Sequence, residues 1–335
     1  MANLWTLLLV LINPLGETLG DIYTIPKLII LVIIIIVSKK SKPNRLDICL
    51  WLIYLLICVS SSLFSLNPIE SLIGSREQLD GLIYQFLIAA IALFKIQPNK
   101  QGVTYGLIIL IIATVLGVSL YSFRGHQAVA IMLCCLYLKD YRLSLMGGIC
   151  CFILKSRMSL LILLISHCER LTIPLVIGLI LVLLVTLGKT DHSILTGREY
   201  HYIESIEAIK RQPLTGYGFP GYAQSFMFKK HPHASYRTYL GNNREYSIIN
   251  RENKFITRKI PRTKAHNIII DRWLDVGVMG MIIYLILLLK GKNSKLNFYI
   301  LWLMLWYTSG QYDHLYWLFR NDYKSSTPKT KTFNF

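Results

Sequence analysis

No lysine or arginine occurs before Lys27, and no cysteine falls between residues 189 and 265. The first absence removes the basic stretch that opens a cleaved secretory leader, so the first apolar run is expected to stay in the protein as a helix. The second leaves the longest polar stretch without disulfides. The seven cysteines (Cys49, Cys58, Cys134, Cys135, Cys150, Cys151 and Cys168) sit in or beside apolar segments. They lack zinc spacing and read as small apolar side chains. Charge is also scarce: 16% of the 335 residues are charged, where a soluble domain carries about 25%. The long hydrophobic runs do not alternate with polar residues, which argues against a membrane β-barrel. No internal repeat appears, and that weighs against transporter folds built from two related halves.

Apolar sequence is abundant. Hydrophobic residues make up 53% of the chain, and mean hydropathy is +0.47. Apolar segments fall at about 4–19, 22–38, 46–64, 80–96, 103–121, 126–138, 142–154, 158–168, 171–188, 267–289 and 297–313. A helix of roughly 20 apolar residues crosses a bilayer. The expected fold class is therefore all-α: a polytopic membrane protein with about 11 transmembrane helices (10–12) and a long, partly helical extracytoplasmic loop. The expected organisation is 1–188 as N-terminal membrane helices, 189–265 as the loop, 266–319 as C-terminal membrane helices and 320–335 as a polar tail. Segments 142–154 and 158–168 are read as two short helices meeting at a polar tip. One continuous helix would bury Lys155, Ser156 and Arg157 in mid-membrane, at a cost of about several kcal/mol.

With an internal N-terminus, eleven spans put Lys39, Lys40, Lys42, Arg45, Lys95, Lys100, Lys139, Arg142, Arg170, Lys290, Lys292 and Lys295 in inside loops. Only Arg76, Arg124, Lys155 and Arg157 fall in short outside loops. Cytoplasmic loops are enriched in Lys and Arg, so 189–265 is expected to face outward. That loop carries fourteen Lys/Arg against six Asp/Glu, on a chain of net charge +18. A basic external loop suits an anionic partner: phosphate, acidic glycan or lipid headgroup. Within it, Thr196-Gly197-Arg198-Glu199 fits a capping box. Tyr202, Ile203, Ile206 and Ile209 follow at helical spacing, and the helix should stop before Pro213. "PLTGYGFPGY" reads as a tight, shaped turn. Residues 229–260 show no clear period and read as a mobile stretch.

Four features converge on the outer edge. Arg157 tops two short helices. Arg198 opens the amphipathic helix of the loop. His266-Asn267 heads the tenth span. Arg76, Arg124 and His126 occupy short outside loops. Guanidinium groups offer a planar fork of donors that suits phosphate oxygens, and a neutral imidazole takes a proton from an attacking hydroxyl. Asn267 is expected to cap its helix and orient the imidazole, while Asp271 and Arg272 are expected to form a structural pair. His231 and His233, split by Pro232 and lacking a third ligand, do not make a metal site.

Three stretches in order carry a resemblance. They are Ser156-Arg157 followed by an apolar helix, Arg198 through "QPLTGYGFPGYA", and "AHNIIIDRWLDVGVMGMIIYLILLL". They resemble the O-antigen ligase and O-antigen polymerase group of bacterial envelope glycosyltransferases. That group shows an outward loop opened by an Arg-bearing helix, a Pro-x-x-Gly-x-Gly turn, and a His-Asn pair heading a span that contains Gly-x-x-Gly. Here these are Arg198, Pro213 to Gly218, His266-Asn267 and Gly277 to Gly280. The likeness covers about 156–289. The chain departs from the group's pattern at its end, where "GQYDHLYWLFRNDYK" is too short for a full twelfth helix and runs into a polar tail.

The resemblance implies transfer of a glycan from an undecaprenyl-pyrophosphate carrier to an acceptor hydroxyl, at the outer face of the cytoplasmic membrane. The acceptor is lipid A–core in ligases and another carrier-linked glycan in polymerases. Neither metal nor cofactor is implied. The expected partners are this donor, the acceptor and membrane lipids, with no nucleic acid. The implied roles are His266 as general base and Arg157 and Arg198 on the pyrophosphate, with Arg76, Arg124, His126 and Asn267 as secondary candidates. A transporter of lipid-linked or anionic solutes and a non-enzymatic scaffold that docks acidic polymers are the competing readings.

Overall fold

The computed structural model describes residues 2–15, 24–38, 40–74, 81–118, 124–166, 198–227, 236–237, 245–249, 255–259, 267–290 and 313–320. Its helices, in chain order, are α1 (Ala2–Leu15), α2 (Thr24–Val37), α3 (Arg45–Leu63), α4 (Pro68–Ile73), α5 (Leu82–Leu93), α6 (Lys100–Val115), α7 (Arg124–Leu138), α8 (Tyr141–Ile153), α9 (Arg157–Ser166), α10 (Arg198–Arg211), α11 (Gly221–Met227), α12 (Ile268–Leu289) and α13 (Asp313–Arg320). Local chemistry sets their ends. Asn44, Asn67, Asn99, Asp140 and Asn267 each accept a backbone N–H of the following turn with a side-chain oxygen, starting α3, α4, α6, α8 and α12. Lys95, Lys139 and Lys155 follow α5, α7 and α8 with φ of 48°, 56° and 56°, left-handed residues that stop a helix.

The corner at Leu154–Ser156 divides α8 from α9, so the two-helix reading of this region holds. α10 stops at Arg211, ahead of Pro213, as its sequence requires. The capping-box Thr196 and the expected spans 171–188 and 297–313 lie outside the described residues. One correction concerns the stretch read as mobile. Three strands, β1 (Tyr236–Arg237), β2 (Glu245–Ile249) and β3 (Phe255–Lys259), pair antiparallel in the order β1-β2-β3. The register sets Ile248 opposite Ile256 and Glu245 opposite Lys259. Strand pairing is a non-local property, and interspersed charges hide the two-residue period along each single strand. The remaining described elements are helical.

Two described helices, Arg45–Leu63 and Ile268–Leu289, are long and apolar enough to cross a membrane, and five others are apolar over 10–17 residues. Their outward faces are apolar as well. Leu52 and Leu56 on α3, Ile108 and Ile112 on α6, Ile149 and Phe152 on α8, and Ile282 and Ile286 on α12 are all exposed. A helix in water would carry polar residues there.

Contacts at the helix ends fix the directions. Lys290, just past α12, bonds Asp47 in the first turn of α3, whereas the carbonyl of Asp275, early in α12, accepts from Ser61 in the last turn of α3. The two helices are therefore antiparallel. Ser41, after α2, donates to Phe94, after α5. Gln127, early in α7, donates to Leu110 and Thr114 late in α6, and Cys151, late in α8, donates to Ala128 early in α7. Helix α13 fits against the opposite ends: Trp317 meets Trp51, Phe319 stacks on Tyr137 at 4.5 Å, and Arg320 donates to the Leu287 carbonyl at 2.6 Å. One end of the bundle thus gathers the starts of α3, α6 and α8 with the finishes of α5, α7 and α12. The other gathers the starts of α2, α5, α7, α9 and α12. The first end carries Lys40, Arg45, Lys95, Lys100, Lys139, Arg142 and Lys290.

Candidate functional site

The second end is built around a break in α12. Gly277 sits inside that helix at φ 71° and ψ 179°, a left-handed value that only glycine adopts without strain. A break strands backbone groups that would otherwise pair four residues apart. The glycine-rich turn after α10 takes them up. The Pro213 carbonyl accepts the Val278 N–H at 3.0 Å, Tyr217 N–H donates to the Leu274 carbonyl at 2.7 Å, and Gly218 N–H donates to the Asp275 carbonyl at 2.9 Å. The turn and the broken helix therefore complete each other's hydrogen bonding. A Cβ on Gly277 would overlap the Leu214 carbonyl, and one on Gly216 would lie 2.5 Å from the Gly277 nitrogen. Close backbone approach explains both glycines.

Side chains extend the clasp. The Asp275 carboxylate accepts from Gly221 N–H at 2.7 Å and from the Arg272 guanidinium at 3.1 Å. That guanidinium faces the Tyr284 ring at 4.7 Å and the Phe219 ring at 5.8 Å, and both ionic residues are buried. An ion pair runs from Arg272 to Asp275, beside the expected partner Asp271. Adjacent helical residues diverge around the axis, whereas residues three apart share a face. Ser61 donates to the Asp275 carbonyl and accepts from Gly218 N–H, and Ser71 accepts from Phe219 N–H at 2.8 Å. Tyr217 donates its hydroxyl to the Ala208 carbonyl at 2.7 Å, and Trp273 donates to Pro213 at 2.8 Å. Burial pushes the Tyr217 phenol up, opposed by the Arg211 guanidinium. The stretch 216–225 is buried throughout, so this part of the expected loop is seated among α3, α4, α10 and α12.

Asn267 caps α12 as expected, accepting Ile269 N–H at 2.9 Å and Ile270 N–H at 3.2 Å. His266 precedes it and lies outside the described residues, as do Arg76, His231 and His233. Arg157 and Arg198 are the first residues of α9 and α10, and Arg124 and His126 stand in the first turn of α7. The side chains of these four are also outside the described residues. Their backbone positions are informative. The starts of α7, α9 and α12 lie at one end of the bundle, and α10 packs Ala208 and Ile209 against Leu274 of α12. Sequence reasoning missed Asp275, Ser61 and Ser71. The two serines carry no motif, and only the fold brings them to residue 218. For Asp275, the three-residue spacing from Arg272 was the available signal.

No curated protein and no solved structure matches the chain. A family model described as O-antigen ligase matches residues 78–285, more than half of the sequence. That interval takes in Arg157, Arg198, the turn 213–221, His266 and the break at Gly277, and the chain belongs to the O-antigen ligase family.

Proposed function

We propose that this protein transfers a glycan from an undecaprenyl-pyrophosphate carrier to an acceptor hydroxyl at the outer face of the cytoplasmic membrane. The observation that carries this reading is the sorting of the two ends of the bundle. The starts of α7, α9 and α12, with Arg124, His126, Arg157 and Asn267, share one end. The lysine-rich short connections occupy the other, as cytoplasmic loops do. In this reading the 189–265 loop faces the periplasm or cell exterior.

The acceptor oxygen attacks C1 of the donor sugar, its proton passes to His266, and the C1–O bond to the pyrophosphate breaks. Negative charge gathers on the departing undecaprenyl pyrophosphate. The guanidinium groups of Arg157 and Arg198 bind it there, where fixed positive charge lowers the barrier most. Arg76, Arg124 and His126 extend the same positive wall. Asn267 holds the entrance of α12 rigid beside the base, and both lipid-tethered reactants are aligned by the surrounding helices. The reaction uses no metal and no nucleotide sugar.

Reconstitution with a defined carrier-linked glycan and candidate acceptors tests this. Loss of transfer in His266→Ala and Arg198→Ala, with normal protein abundance, is the expected result. Unaltered transfer in His266→Ala removes the assigned base. A single addition per acceptor identifies a ligase and a ladder of products a polymerase.

A further inference from the structure

The end of the bundle away from the candidate site holds a cluster of cations that the reaction above does not use. Lys40 and Lys42 lie in the connection from α2 to α3, Arg45 opens α3, and Lys95 makes the corner after α5. These two connections meet. Ser41 N–H donates to the Phe94 carbonyl at 2.9 Å, and the Lys40 ammonium stands 5.5 Å from the centroid of the Phe94 ring. Lys40 and Lys42 flank Ser41 in the chain, and Lys95 follows Phe94, so this one hydrogen bond gathers three of the four cations. Lys40, Lys42 and Arg45 are exposed and Lys95 is half-buried. Neither 38–46 nor 94–100 contains an aspartate or a glutamate. Asp47, in the first turn of α3, is engaged by Lys290. Among the described residues none of the four cations forms an ion pair.

Like charges gathered at one spot repel one another, and an anion seated among them relieves that repulsion. Ammonium and guanidinium donors suit phosphate oxygens. The Phe94 ring holds Lys40 by its face and adds no competing carboxylate. Beside the cations the same helices turn apolar side chains outward. Ile36, one turn before Lys40, and Leu46, next to Arg45, are both exposed. They continue the apolar outer faces of the bundle described above. Phosphate-binding cations bordering an apolar wall match a molecule with an anionic head and hydrocarbon tails. A free phosphate gains nothing from the wall. Basic clusters between membrane helices at one surface of the bilayer recognise lipid headgroups in this way. We propose that Lys40, Lys42, Arg45 and Lys95 bind the phosphate of an anionic phospholipid in the leaflet at this end of the bundle, with Phe94 positioning Lys40. The site joins the α2–α3 and α5–α6 connections and is independent of the glycan transfer proposed above.

The test uses the full-length protein in dodecyl maltoside micelles with equal amounts of phosphatidylglycerol and phosphatidylcholine of matched acyl chains. Native mass spectrometry reads the ratio of the two lipids retained. The wild type is expected to favour phosphatidylglycerol at least fivefold. The double variant Lys40→Gln/Lys95→Gln should lower that ratio at least threefold without reducing phosphatidylcholine retention. Arg142→Gln, on α8 at the same end, should change it less than twofold. Millimolar inorganic phosphate should leave the lipid bound. Equal retention of the two lipids by the wild type overturns the proposal, and so does a ratio unchanged in the double variant. A drop in Arg142→Gln as large as in the double variant also overturns it, because it reports overall surface charge (screened by salt) and no particular site. Displacement of the lipid by inorganic phosphate overturns the lipid assignment. If the double variant is not recovered, Lys40→Gln and Lys42→Gln decide singly, since both positions are exposed. A drop of at least twofold in either upholds the proposal, and a smaller change in both overturns it.

Discussion

At the residue scale the decisive groups are Gly277 and Asp275. Gly277 combines a left-handed φ of 71° with the Leu214 carbonyl where a Cβ would go. Gly277→Ala therefore meets both backbone strain and a steric overlap that no rotamer relieves. A loss of about 3 kcal/mol is expected from the two together, seen as a lower midpoint of thermal aggregation in detergent. The Asp275 carboxylate accepts from the Arg272 guanidinium and from Gly221 N–H. Asp275→Ala removes a buried ion-pair partner of the Arg272 guanidinium, which costs about 3–5 kcal/mol. Asp275→Asn keeps an oxygen for Gly221 N–H and should lose less. Comparing the two midpoints separates the ion pair from the hydrogen bond. If both variants melt like the parent, the clasp does not hold the turn to the helix.

At the scale of elements, caps and corners were the most legible features of the chain. Asn267 caps α12 through its own side chain, a contact that depends on two neighbouring residues and nothing distant. Asn267→Ala should lower stability by about 1 kcal/mol and Asn267→Asp should preserve it, as read from unfolding midpoints. A larger loss of transfer than of stability in Asn267→Ala would report the orientation of His266. The corner after α8 is made by Lys155 at φ 56°. Lys155→Gly relieves a left-handed conformation disfavoured by about 1 kcal/mol and should raise the midpoint. The β2–β3 pair was not legible. Its register depends on which residue stands across from which, and the one-dimensional pattern does not encode that.

At the scale of the whole molecule, charge sorts the two ends and predicts sidedness. In a Cys49→Ser, Cys168→Ser background, Lys155→Cys should react with a membrane-impermeant maleimide in intact cells. Lys139→Cys should react only after permeabilisation. The reverse labelling pattern would invert the orientation and remove the outward-facing site. The same sorting explains why residues from distant stretches can serve one reaction. Helices that start at one face bring their first residues together, whatever the length of chain between them.

Local and periodic features were determined by the sequence alone: the apolar helices, the stop of α10 before Pro213, the cap at Asn267 and the corner between α8 and α9. Each depends on residues within about one turn of one another or on composition along a single helix. Tertiary structure decided how the turn at 213–221 is used. It is seated against a broken helix, with the Leu274 and Asp275 carbonyls and the Val278 N–H as its partners. It also decided the pairing of Arg272 with Asp275 and the burial of Lys27 against Tyr84. These arrangements join groups on separate elements or around a helix axis, and their free energy comes from desolvation and backbone pairing that exist only once the helices have packed.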